Sequence, residues 1–303
     1  MSPNARAALL MTLSMAAFAC EDALLKTMAV DVPIGALLFY IGLAGMLVFG
    51  AWVVFGPEGL RWRDLCHPLV VLRNLAEAIC GVTFLTALSL GDLSIASAIL
   101  QALPLMMTFG AALFLGEPVG WRRWSSIAIG FLGVLLIVRP GTDAFQPSSV
   151  LALIAVLSLT VRDLATRRLP DRIGSGLLTA SAFGSMSVAG AVLLIVAGDP
   201  VFLPDAPMAG VMVVTLGFGL CGYITMVTAT RIGEIGAIAP FRYSRLVFAI
   251  ILGVLVFGER PDALALLGAA IIAGAGGYAM LREARLRRRA ARLTADPFRS
   301  SVT

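Results

Sequence analysis

The chain has 303 residues, of which 59% are hydrophobic and 14% charged, with a formal net charge of +5 and a mean hydropathy of +0.94. A soluble domain averages roughly 45–50% apolar and about 25% charged residues, so these values exclude a soluble fold and specify a polytopic membrane protein. The basic excess does not point to nucleic acid either, because it sits at the C-terminal end, Arg282 to Arg299, directly after the last apolar run; a basic segment there meets anionic lipid and fixes topology.

Apolar runs long enough to cross the hydrocarbon, roughly 17–25 residues, fall near 6–28, 34–55, 70–90, 93–115, 122–138, 149–168, 175–197, 207–229, 236–257 and 262–281. They predict an all-α membrane protein of ten transmembrane helices with no room for a soluble domain. Arg6, the apolar run after it and Ala17-Phe18-Ala19-Cys20 resemble a secretory signal with its cleavage site. Cleavage would leave nine spans and destroy the internal repeat described below, so the segment is expected to remain as span 1.

With the N-terminus inside, the inner segments hold 16 of the Lys and Arg residues and the outer ones hold three, Lys26, Arg139 and Arg260. The positive-inside rule therefore predicts cytoplasmic N- and C-termini. Trp52, Trp62, Trp121 and Trp124 fall at or near the same inner level, where amphipathic rings favour the headgroup region.

Two stretches echo each other. Gly91-Asp92 through Gly116-Glu117 aligns without gaps on Gly233-Glu234 through Gly258-Glu259, an offset of 142, and Asp22, Lys26 and Gly35 align on Asp163, Arg167 and Gly176 at 141. Five spans per copy is an odd number, so the second copy enters from the opposite face and the fold is predicted as two inverted five-helix repeats. That is the arrangement behind alternating access. The predicted units are 1–140, 141–283 and a basic cytoplasmic tail, 284–303.

Several motifs fail on inspection. Gly217-Phe218-Gly219-Leu220-Cys221-Gly222 matches the dinucleotide fingerprint but lies inside an apolar span rather than between a strand and a helix. It is expected to serve close helix packing, as are Gly176/Ala180/Gly184 and Ala265/Ala269/Ala273/Gly277. Cys20, Cys66, Cys80 and Cys221 form no CxxC, so neither disulfides nor a metal site are indicated. His67, the one histidine, is read as a solvated loop residue, and no catalytic residues or cofactors are expected.

The informative residues are ionisable groups within spans: Glu21 and Asp22 in span 1, Arg73 and Glu77 in span 3, Arg162 and Asp163 in span 6, Arg242 and Arg245 in span 9. A charge at bilayer centre costs about 2.5–3.5 kcal/mol on insertion scales, so these groups are expected to face one another or water. Arg73 and Glu77, and Asp22 and Lys26, stand four residues apart, the spacing of a within-helix ion pair. Arg242 and Arg245 stand three apart on one helical face, where like charges need an anion between them, supplied by a protein carboxylate such as Glu77 or by a solute. At the 142 offset they face Leu100 and Leu103. An asymmetric solute needs an asymmetric site, which favours these arginines over the duplicated Asp22 and Asp163.

Asp22, Asp163 and Arg162 are candidates for coupling or gating, with interhelical pairing and snorkelling as the plain structural reading. Tyr243, Tyr223, Gln101 and Asn74 are candidate solute contacts or ordinary packing residues. Pro104 inside span 4 and Pro240 at the start of span 9 predict bends. Glu117 and Glu259, each after a glycine at a span end, are expected to anchor the bundle.

Leu115-Gly116-Glu117 and Phe257-Gly258-Glu259, each followed by a Gly/Ala-rich span (Ile129-Gly130-Phe131-Leu132-Gly133-Val134 and Ala273-Gly274-Ala275-Gly276-Gly277), resemble the EamA-type transporters of the drug/metabolite superfamily, over about 6–140 and 149–283. Ala239-Pro240-Phe241-Arg242-Tyr243-Ser244-Arg245 is similar to a subgroup described as S-adenosylmethionine-type carriers, although the arginine pair departs from the uncharged ninth span of most members. The resemblance implies a central cavity lined by spans 1, 3, 4, 6, 8 and 9.

The expected function is secondary transport, across a bacterial inner membrane, of a small zwitterionic or anionic metabolite such as an amino acid derivative. Arg242, Arg245 and Arg73 would meet its carboxylate, and Glu77, Glu21 or Asp22 its cationic group. The partners are the bilayer, the solute and protons as a candidate coupling ion. The alternatives are a broad efflux pump for cationic or apolar compounds and a non-transporting structural or lipid-handling protein.

Overall fold

The computed structural model describes residues 2–295, apart from 57–61, 118–119, 171 and 201. In chain order the helices are α1 (Pro3–Met28), α2 (Ile34–Phe55), α3 (Trp62–Leu65), α4 (Pro68–Leu90), α5 (Leu93–Leu100), α6 (Leu103–Phe114), α7 (Trp121–Val138), α8 (Pro147–Arg167), α9 (Ser175–Ala197), α10 (Ala206–Ile232), α11 (Ile235–Ile238), α12 (Ser244–Phe257) and α13 (Ala263–Ala295), with a 3-10 turn at Ala239–Tyr243 between α11 and α12. Ten crossings are long and apolar enough for a membrane, α5 and α6 together forming the fourth and the 3-10 turn with α12 the ninth. The end of the bundle where α1 begins is called the terminal end below, and the opposite one the distal end.

Local sequence sets the helix boundaries. Six helical segments carry proline in the first turn, among them Pro3, Pro68 and Pro147, where the missing N–H costs no intrahelical bond. Ser2 and Asp205 accept from the amides of Ala5 and Met208 as side-chain caps. His67, read from sequence as a solvated loop residue, instead caps α4: its Nδ1 accepts from the Leu69 amide at 3.3 Å. The tail also differs from expectation, since α13 continues helically to Ala295 rather than ending near 281; residues 296–303 lie outside the described part.

Both interrupted crossings have a physical cause. The bend expected at Pro104 falls just before it, where Gln101 and Ala102 form a turn and α6 restarts with proline in its first turn. In the ninth crossing Pro240 sits in the 3-10 turn, so Arg242 belongs to the turn while Arg245 begins α12. The repeated Gly116 and Gly258 share a φ of +65°, a conformation open to glycine and costly for other residues.

The halves interlock. α1 packs on α10 and α4 on α8, α2 packs on α9 and α7 on α13, so each pairing joins one repeat to the other and is exchanged or kept by the repeat. α2 and α9 approach closely: a β-carbon built on Gly35 would stand 2.8 Å from the Gly190 carbonyl oxygen, and one on Gly190 would stand 2.5 Å from that of Gly35. Within the stripe Gly176/Ala180/Gly184, a β-carbon built on Gly184 would meet the Met46 side chain at 3.0 Å rather than a facing backbone. Large apolar residues such as Leu47, Phe55, Ile195 and Leu255 are exposed on the outside, as lipid-facing positions require. The protein is an all-α membrane protein of ten transmembrane helices in two inverted five-helix repeats.

Candidate functional site

A cavity of about 540 Å³ lies between the halves. Toward the distal end its wall is closed by Leu37, Leu38 and Leu85, 0%, 3% and 4% exposed, which belong to an apolar cluster with Met28, Val32, Ile41 and Met212. Toward the terminal end its lining includes exposed Thr166 and half-exposed Thr179. There the apolar contacts split into two separate groups, Ala7/Met11/Met15/Ala229/Ile238 and Val70/Ile173/Leu177/Leu178. The cavity thus opens at the terminal end and is shut at the distal end.

All eight intramembrane charges line this cavity, but their partners differ from the sequence expectation. Asp22 does not pair with Lys26; it takes Arg245, through Nη2 at 2.6 Å and Nε at 3.2 Å. Glu77 does not pair with Arg73 either. Arg162 reaches across from α8 to Glu77 at 3.2 Å and binds its own neighbour Asp163 at 2.8 Å. Arg73 donates to the Leu178 carbonyl at 2.8 Å, to Thr166 Oγ1 at 3.2 Å and to Asn74 Oδ1 at 3.3 Å. Four-residue spacing permits an ion pair on an isolated helix; in the bundle, carboxylates instead find guanidinium groups on facing helices, which reach them without bending along one surface.

Two charges are left over. The Arg242 side chain is exposed and has no hydrogen bond or ion pair among the described residues; only its backbone carbonyl is used, accepting from Gln101 Nε2 at 3.1 Å. Glu21 likewise has neither among the described residues. The arginine couple expected to act together is therefore split, Arg245 neutralised by Asp22 and lying over the Phe18 ring at 5.4 Å, Arg242 without an ion pair among the described residues.

The remaining candidates separate as well. Tyr223 lines the cavity with its ring edge-on to Phe49 at 5.9 Å. Tyr243 also borders it, but its buried hydroxyl has no hydrogen-bond partner among the described residues and lies against Gly276 of α13. Asn74 is not in the wall; it accepts from Ser181 at 3.2 Å and from Arg73. α2 and α9, the second and seventh crossings, contribute wall residues absent from the expected lining, Leu38 and Ile41 on one and Phe183 and Met186 on the other. Apolar and without a polar marker, they carry no sequence signal separating cavity wall from lipid face.

The bundle ends are held by repeat-related ion pairs of unequal quality. At the distal end Glu259 accepts from Lys26 at 2.9 Å, from the amides of Leu93 and Ser94 at 2.6 and 3.0 Å, and from Ser94 Oγ at 2.6 Å. Lys26 also donates to the Gly91 carbonyl. Burial raises the Glu259 pKa, but these donors outweigh it and hold the carboxyl below its ordinary range. Nearby, Arg139 and the α13 amides hold Asp262 at about 2. At the terminal end Glu117 meets Arg167 at only 3.4 Å, both side chains nearly half exposed.

The comparisons with known proteins agree with this architecture. A family model described as the EamA-like transporter family matches residues 5–139 and 146–278. The S-adenosylmethionine uptake transporter of Rickettsia felis is 26% identical over 216 residues, covering 71% of this chain and 72% of that protein. The riboflavin transporter of Rhizobium johnstonii is 26% identical over 233 residues, 76% and 74% of the two chains, and the pseudopaline exporter of Pseudomonas aeruginosa is 24% identical over 273 residues, 87% and 92%. A protein known from a crystal structure superposes with a TM-score of 0.55 at 20% identity, covering 92% of this chain and 98% of the other, a likeness of fold alone. The chain belongs to the EamA-like transporter family and is a multi-pass membrane transporter of small molecules.

Proposed function

We propose that this protein is a secondary transporter of the bacterial inner membrane, with both termini cytoplasmic, that moves a small zwitterionic or anionic metabolite by alternating access. Amino acids and their derivatives, S-adenosylmethionine-like compounds included, are the substrate class. The observation that carries the reading is Arg242, a guanidinium lining a membrane-embedded cavity without a hydrogen bond or ion pair of its own side chain among the described residues. A carboxylate delivered by the solute would complete it with a charge-assisted hydrogen bond. Arg73, held by neutral acceptors, is a second donor for the same group. Asp22, Asp163 and Arg162, bound up in ion pairs, are assigned to gating or coupling rather than to first contact with the solute. The repeats, 1–140 and 141–283, would rock about this chamber, driven by the solute gradient or by protons.

Liposomes containing the purified protein, offered labelled S-adenosylmethionine, methionine and riboflavin with and without a pH gradient, test the proposal. Flux of a zwitterion above protein-free vesicles, lost in Arg242→Gln, is the expected result. Equal flux in parent and Arg242→Gln would remove the carboxylate role, and a flat response to the gradient would retire proton coupling.

A further inference from the structure

The repeat is broken at one place that the ion pairs make visible. At its offsets of 141 and 142, Glu21 corresponds to Arg162 and Gly219 to Glu77. The helices carrying them are equivalent too, since α1 packs on α10 as α8 packs on α4. In one half the pairing yields an internal ion pair, Arg162 on α8 meeting Glu77 on α4 at 3.2 Å. In the other half the same geometry brings a carboxylate, Glu21, against a residue with no side chain. A β-carbon built on Gly219 would stand 2.6 Å from Glu21 Oε1, 3.0 Å from its carboxyl carbon and 3.2 Å from Oε2. Where one repeat carries its own cation, the other has an acid facing bare helix.

The surroundings supply no substitute. Asp22, next in the chain, has taken Arg245 at 2.6 Å. Arg162 is shared between Glu77 and Asp163, and Arg73 is spent on the Leu178 carbonyl, Thr166 and Asn74. Glu21 lines the cavity without a hydrogen bond or ion pair among the described residues. An acidic side chain left without a hydrogen bond or ion pair in a membrane interior is costly and marks function more often than architecture.

We infer that Glu21, seated against Gly219, is the subsite for a cationic group, an ammonium or sulfonium centre of the transported solute, occupying the electrostatic role that Arg162 plays in the other repeat. The inference rests on the transport reading and deepens it: with Arg242 for a carboxylate and Glu21 for an onium group, the solute must carry both signs. Gly219 is the enabling residue, because any side chain there displaces the carboxylate. An inorganic coupling cation would answer to the same chemistry.

The test needs no knowledge of the natural solute. Purified full-length protein in nanodiscs is titrated with trimethylsulfonium, methylammonium and sodium chlorides, and thermal stability is followed. The organic cations are expected to stabilise the parent saturably, with apparent affinity at least tenfold weaker in Glu21→Gln and unchanged in Gly217→Ala, a position of α10 outside the cavity wall. Without ligand, Glu21→Gln is expected to melt at or above the parent, because an unpartnered acid has been replaced by a neutral group of the same shape; a scaffold role would lower it. S-adenosylmethionine and the uncharged-sulfur S-adenosylhomocysteine form a second arm, with the difference in affinity collapsing in Glu21→Gln. Stabilisation by sodium alone assigns the site to a coupling ion and overturns the solute role. Equal cation affinity in parent and Glu21→Gln, or none in either, overturns the inference outright. Failure of transport in liposomes with cation binding intact would instead count against the transport reading.

Discussion

Lys26 and Glu259 meet at 2.9 Å, their side chains 14% and 3% exposed, and they join the end of α1 to the segment after α12 across the two repeats. Their repeat-related counterparts at the terminal end, Arg167 and Glu117, meet at 3.4 Å with side chains 47% and 46% exposed. The tight pair lies where the cavity is shut and the loose pair where it is open. If the halves rock, Glu259→Gln weakens the closed end. In a variant retaining only Cys80, a cavity-wall thiol, a membrane-impermeant maleimide added from the distal side is expected to react several-fold faster after Glu259→Gln than before it. Ser94→Ala removes one hydrogen bond to a carboxylate, worth about 1.5–3 kcal/mol, and is expected to move labelling the same way. Unchanged distal labelling in a folded Glu259→Gln protein would rule out a latch.

The two arginines of the ninth crossing are expected to separate experimentally. Arg245→Gln leaves Asp22 buried and unpaired; breaking a buried pair from one side costs about 3–5 kcal/mol, so the melting temperature falls, and adding Asp22→Asn recovers part of the loss. Arg242→Gln breaks no internal pair and is expected to melt like the parent while binding a carboxylate solute at least about tenfold more weakly, the worth of one charge-assisted hydrogen bond. Thermal melts in detergent and equilibrium binding distinguish the two. Equal destabilisation by both substitutions would contradict the geometry.

How much of this was legible in the sequence depends on the range of the interaction. The repeat, the ten crossings and the group of eight intramembrane charges followed from composition and periodicity, because a bilayer imposes length and polarity on each segment independently. The partners did not. Spacing proposed Arg73 with Glu77 and Asp22 with Lys26, whereas both acids bind arginines on facing helices; which helices face each other is a tertiary fact that a four-residue interval does not contain. The break before Pro104 was readable, since proline rejects an interior position. The split between Arg242 and Arg245 was not, because it depends on a 3-10 turn that ends between them.

The distal latch is expected to be insensitive to pH across the physiological range. Glu259 is held below its ordinary pKa by Ser94, Lys26 and two backbone amides against the effect of burial, so its stabilisation is fully present above the ordinary carboxylate pKa, about 4. It is lost only as pH falls through the lowered value. Asp262, at about 2, adds a contribution of the same sign, disappearing between about 4 and 2. Asp92, nearby, is raised by burial first and by the Glu259 charge second, and acts oppositely: its protonation relieves strain as pH falls. The ratio of distal labelling in the parent to that in Glu259→Gln, in which the pH dependence of the thiol itself cancels, should be flat from pH 8 to 5, and a steep change of that ratio would show that another group controls closure.

Gly217, the first glycine of the apparent dinucleotide fingerprint, and Gly190, between α2 and α9, have opposite expected responses to substitution. Nothing lies within 4 Å of a β-carbon built on Gly217, so Gly217→Ala adds no clash and gains helix propensity, roughly 0.5–1 kcal/mol. Gly190 faces the backbone of α2, and a β-carbon added to it would stand 2.5 Å from both the Gly35 oxygen and the Phe39 nitrogen. Backbone cannot step aside as a flexible side chain can, so Gly190→Ala must separate two helices that tie the repeats together, with a cost of at least about 1–3 kcal/mol by analogy with overpacked cores. Melting temperatures in detergent should rise or hold for Gly217→Ala and fall for Gly190→Ala. A fall for both would mean that α10 approaches a neighbour at Gly217 in another conformation of the transport cycle, and cross-linking from that position would then identify the neighbour.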